Sequence, residues 1–115
     1  MDFNKEYSLH VRDPWLFYIQ SGQKSVEGRR GNKKRYNHWL NQKVYFYNDD
    51  RKVLVKVVDI RHYEDLYQYL KKEGYEKVLP RIDNLEEAVK IYHQFYSDED
   101  IRIAGGMLAI QVELI

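Results

Sequence analysis

Within Ser21 to Arg30, SGQKSVEGRR, two glycines bracket a lysine and a glutamate, and two arginines follow the second glycine. Lys24 offers a point charge that becomes a base when desolvated. Glu27 offers a carboxylate that can hold that charge or move a proton, and Arg29 and Arg30 offer planar forks suited to phosphate or to the edge of a nucleobase. Together these groups suit a polar, planar ligand. The same residue types at near-alternating positions also describe the solvated face of an edge strand, so spacing alone leaves both readings open.

Charge beyond this stretch is unevenly spread. The net charge is only +1, yet Lys24, Arg29, Arg30, Lys33, Lys34 and Arg35 crowd into twelve residues against the single acid Glu27. Asp83, Glu86, Glu87, Asp98, Glu99 and Asp100 form an opposite, acidic stretch. Such a dipole can orient an approaching anion. Trp15, Phe17, Tyr18 and Tyr36 are candidates for stacking on a base, although most aromatics in a chain this short must be core.

Other chemistries find little support. With no cysteine, disulfides, thiolate zinc sites and a cysteine nucleophile are excluded. His10, His38, His62 and His93 are scattered, so no metal site is expected. Gly105-Gly106 is not followed by the lysine and helix start of a phosphate loop, and Asp98-Glu99-Asp100 lacks the spacing and glycine of a calcium loop. No cofactor is expected. The start, MDFNKEYSLH, has neither the basic region nor the apolar run of a signal peptide, and no stretch approaches a membrane span. An intracellular chain is expected, and 115 residues, 43% hydrophobic, with no Pro-, Gly- or Ser-rich divide, are expected to form one domain over 1–115.

The elements that must hold the chemistry can be read from pattern. Alternation in Tyr7 to Val11 predicts a strand, and Asp13-Pro14 a cap and first-turn proline for a short helix to about Ser21. Gly22 supplies a turn into a strand over Lys24 to Arg29. Gly31 to Arg35 reads as a mobile basic loop, and Tyr36 to Leu40 as a turn anchored by Trp39. Val44 to Tyr47 and Lys52 to Ile60 flank Asn48-Asp49-Asp50 as a hairpin. Helices are predicted over Glu64 to Gly74 and after Asn84, the latter with Leu85, Ala88, Val89, Tyr92 and Phe95 on its inner face. Met107 to Ile115 closes as a buried strand. Five strands interrupted irregularly by helices indicate an α+β fold.

The run GQKSVEGR resembles the Gly-x-Lys-x-x-Glu-x-Arg signature of the ASCH family of PUA-like domains. EGYEKVLPRI (Glu73 to Ile82), NLEEAVKIYHQFYS (Asn84 to Ser97) and GMLAIQVEL (Gly106 to Leu114) are also similar to members of that family. The resemblance implies a small, mostly antiparallel β-barrel with helices at its mouth. It further implies a cleft lined by Lys24, Glu27 and Arg29, with Glu73 nearby, that binds RNA or a modified nucleoside, assisted by Arg30, Lys33, Lys34, Arg35, Trp15 and Tyr18. The alternative it implies is a small amidohydrolase acting on N4-acetylcytidine or a related N-acylated base, with Lys24, Glu27 and Glu73 catalytic. A ribonuclease comes third. The sequence departs from the family pattern at two points: Glu27 stands where the hydrolases carry a threonine, and Asn41-Gln42 where a Gly-Asp pair is usual.

Overall fold

A computed structural model describes residues 7–115; residues 1–6, read above for a targeting signal, lie outside the described residues. In chain order the elements are β1 (Tyr7–His10), α1 (Trp15–Gln20), β2 (Val26–Arg30), two 3-10 turns (Lys33–Arg35 and Asn37–Trp39), β3 (Lys43–Tyr47) and β4 (Lys52–Tyr63). There follow α2 (Leu66–Glu73), α3 (Tyr75–Val78), α4 (Leu85–His93), α5 (Asp98–Ala104) and β5 (Met107–Leu114). The strands form one sheet in the order β1-β3-β4-β5-β2, antiparallel except for the parallel pair β1/β3. This is the expected α+β class, a curled half-barrel with helices packed on it. Among the described residues no helix is long and apolar enough to cross a membrane.

Local chemistry explains most boundaries. Asp65 caps α2 by accepting from Gln68 N–H, and Asn84 caps α4 by accepting from Glu87 N–H. Asn48 Oδ1 accepts from the amides of Asp50 and Arg51, closing the β3–β4 turn. Asn41 takes φ 64°. That is the left-handed region in which asparagine is among the better tolerated residues.

Two expectations need correction, and one helix lies where none was expected. Lys33–Arg35 is not a mobile loop but a 3-10 turn, capped by the Asn32 side chain accepting from Lys34 N–H. Asp98-Glu99-Asp100 opens a helix, α5, whose capping box joins Ser97 and Asp100 reciprocally. Phe95 lies beyond the end of α4 and is exposed rather than on its inner face.

Two apolar layers share β5. Its Leu108, Ile110 and Val112 face the curl of the sheet with Leu16, Phe46 and Val55, while Met107 and Ala109 face the helices with Leu66, Leu70 and Tyr92. A strand buried on both faces reads as the near-continuous apolar run seen at the C-terminal end. The register Glu27↔Ile110, Gly28↔Ala109 and Arg29↔Leu108 then fixes β2: Glu27 and Arg29 point to the curl, Gly28 to the helices. β1 and β2 are the two edges of the sheet, and Arg29 Nη2 spans them by donating to the His10 carbonyl at 2.6 Å.

Candidate functional site

Lys24 sits just ahead of β2, not within it, and is 2% exposed. Its Nζ donates to the carbonyls of Val26 and, at 2.5 Å, Val78 at the end of α3, and lies 3.3 Å from Glu27 Oε1. An ammonium has three donors, so all three are engaged. Glu27 Oε2 in turn accepts from Arg29 Nη2 at 2.9 Å. One carboxylate is therefore held between two cations.

Burial pushes the Lys24 pKa down, against the pull of Glu27. For Glu27, burial would raise the pKa, but the charges of Lys24 and Arg29 together outweigh it and hold the carboxyl below its ordinary value. Arg29 is opposed by burial too, yet Glu27 raises it on balance. At neutral pH the carboxylate is thus ionised and the guanidinium charged. Arg29 Nε is buried with no hydrogen-bond partner among the described residues, a donor that an incoming acceptor could satisfy.

Glu27 and Arg29 line a cavity of about 140 Å³ that opens in the seam between β1 and β2. Trp15 of α1 and Phe95 and Tyr96, just past α4, supply aromatic walls, while His10 and Arg12 come from the end of β1. Each aromatic beyond α4 carries an arginine: Arg12 lies over the Phe95 ring at 5.2 Å and Arg30 over Tyr96 at 5.3 Å. Gly28 lets this wall approach, because a Cβ there would overlap Tyr69 and stand 2.6 Å from Tyr92 Oη. Those two tyrosines join hydroxyls at 2.7 Å behind the cavity, and burial first of all keeps both phenols protonated.

The remaining expected site residues are placed variously. Lys24 does not line the cavity but backs Glu27. Tyr18 packs edge-on against Phe17 and accepts the Lys24 and Gln23 amides through its carbonyl, so it shapes the turn. Arg30 reaches to 4.0 Å from Asp100, and Lys33, Lys34 and Arg35 are exposed on their turn. Glu73 is brought to Arg61, which grips it bidentately at 2.8 and 2.7 Å, and accepts from Tyr63 Oη. Those hydrogen bonds, Arg61 foremost, depress its pKa. Tyr69 stands between Tyr63 and Tyr92, with ring centroids 6.1 and 5.5 Å away, so an aromatic series separates Glu73 from the cavity.

The profile of the ASCH domain matches residues 9–115. The chain belongs to the ASCH family. Among solved structures, this ASCH domain is similar to the crystal structure of hypothetical protein PH0355, at 33% identity and a TM-score of 0.83, over 96% of this chain and 100% of that one. It is also similar to the solution NMR structure of protein PF0455 from Pyrococcus furiosus, at 30% identity and a TM-score of 0.76, over 96% and 98% of the two chains. No curated protein matches the ASCH domain described here.

Proposed function

We propose that this ASCH domain binds single-stranded RNA or a modified nucleoside, with one base seated in the seam cavity. The observation that carries the reading is the pairing of Glu27 and Arg29 on the cavity wall, an ionised acceptor beside a fixed donor fork, between aromatic rings. Glu27 can accept from an exocyclic amine while Arg29 donates to a ring nitrogen or carbonyl, the pattern that cytosine presents. The cavity, about 140 Å³, is well below the roughly 300–1,000 Å³ of drug-sized sites, which suits one ring rather than a whole nucleotide. Lys33, Lys34 and Arg35 offer charge to the strand outside. Family membership supports RNA as the partner.

The test is a fluorescence titration, reported by Trp15, with oligocytidylate and an abasic strand of equal length at two salt concentrations. Base seating should make oligocytidylate about tenfold tighter, since stacking is worth about 1–3 kcal/mol per base. Alanine at Lys33, Lys34 and Arg35 should flatten the log–log salt slope by about 2, at roughly 0.7 per phosphate contact. Equal affinity for the two strands, or no binding at low salt, sinks the base pocket.

A second reading, amide hydrolysis of an N-acylated base, is favoured by Lys24 being buried against a cavity-facing carboxylate instead of lying on a rim. Against it stand the engaged donors of Lys24 and the absence of a hydroxyl at Glu27; Ser25 is exposed, and its backbone carbonyl pairs with Val112. Incubation with N4-acetylcytidine should therefore give little or no cytidine. Rapid turnover that collapses in Glu27→Gln would make Glu27 the general base and reverse the order of the two readings.

A further inference from the structure

The geometry points to Arg12 as the residue that selects a phosphate-bearing ligand over a free nucleoside, by binding the phosphate attached to the seated base; this rests on the base-pocket reading above. Arg12 is exposed at the end of β1 and lines the cavity, with its guanidinium over Phe95. No described carboxylate pairs with it. The acid next to it in the chain and the acid on the cavity wall are occupied elsewhere. Its chain neighbour Asp13 accepts from Arg51 Nε at 3.1 Å with one oxygen and from Phe17 N–H at 3.1 Å with the other. Glu27 is divided between Lys24 and Arg29.

The other cavity arginine, Arg29, is pinned by Glu27 and the His10 carbonyl. Arg12 is thus the lining cation whose charge the described residues leave uncompensated. Resting on an aromatic face holds a guanidinium in place while leaving its in-plane N–H groups directed outward, the arrangement that grips a phosphate with two parallel hydrogen bonds. A base that enters the seam carries its sugar towards the opening, where this fork stands. The phosphate can be the terminal group of a mononucleotide or a diester within a strand.

Tryptophan fluorescence titrations of the whole chain with cytidine, cytidine 5′-monophosphate and the dinucleotide cytidylyl-cytidine test the assignment. Wild type should bind at least one phosphate-bearing ligand about tenfold more tightly than cytidine, the scale of a charge-assisted hydrogen bond. Which of the two gains identifies the source of the phosphate. In Arg12→Gln the ratio should collapse to near one, and in Arg12→Lys, which keeps the charge and loses the fork, it should fall in between. Cytidine binding with no preference in wild type, or a preference that survives in Arg12→Gln, overturns the role of Arg12 and leaves the base pocket standing. Failure of all three ligands to bind overturns the pocket and this inference with it.

Discussion

Replacing Lys24 by alanine should lower the unfolding free energy by about 3–5 kcal/mol, the cost of removing one partner from a buried ion pair. Three losses coincide: Glu27 keeps only Arg29, the Val26 and Val78 carbonyls lose their donor, and the stem leaves a void. Urea unfolding measures it, and Lys24→Met, which refills the space, should recover only the packing part. A loss below about 1 kcal/mol would show that the pair does not hold the fold. The pH profile adds a signature. Glu27 is depressed in the fold, so the unfolded chain binds protons more readily below the ordinary value of 4.5; its contribution is complete above that value and is lost as pH falls through the folded pKa. Lys24 is also depressed, so the unfolded chain holds its proton longer and stability rises with pH across the window below 10.5. Lys24→Ala should erase that alkaline rise. Glu27→Gln should remove only part of the acid limb, because Glu73, held low by Arg61, loses its contribution in the same direction.

Gly28→Ala should cost about 3 kcal/mol, at the upper end of over-packing penalties, offset slightly by the lower chain entropy of alanine. The added carbon has nowhere to go, since Tyr69 and Tyr92 are both buried and joined through their hydroxyls. Tyr69→Phe removes the nearest of the three colliding atoms and leaves Tyr69 Cζ and Tyr92 Oη in place, so in a double-mutant cycle it should rescue part of the loss although it costs about 1 kcal/mol on its own. Thermal melts of the four proteins decide the matter. A Gly28→Ala protein that melts with wild type would mean that the tyrosine pair can retreat.

Much of the fold is written in local pattern. The alternation of β3 and β4, the caps at Asp65 and Asn84, and the apolar run of β5 each depend on neighbours a few residues away, which a sequence displays. The two-residue spacing of Glu27 and Arg29 likewise puts them on one face of a strand. α5 escaped because its capping box uses Asp100 where glutamate is usual, so three successive acids read as a charge run rather than a first turn. The partner of Lys24 at Val78 is 54 residues away, and nothing near either residue announces it. The cavity walls pose the same difficulty. Arg12, Phe95 and Tyr96 join the site only because the ends of β1 and α4 converge, and the Arg61–Glu73 grip forms across the end of β4, past the register shift between Val57 and Asp59.

An open sheet presents two rows of unpaired peptide groups, the usual starting points for strand addition by another chain. Here β1 and β2 are those edges, and the Arg29 guanidinium of β2 takes up the His10 carbonyl of β1 that a recruited strand would need. Glu27 fixes that guanidinium, and the Phe95–Tyr96 corner stands over the opening. The residues that line the cavity are therefore also a guard against edge-to-edge association, so a substitution at Arg29 would unmask a strand edge as well as reshape the cavity wall.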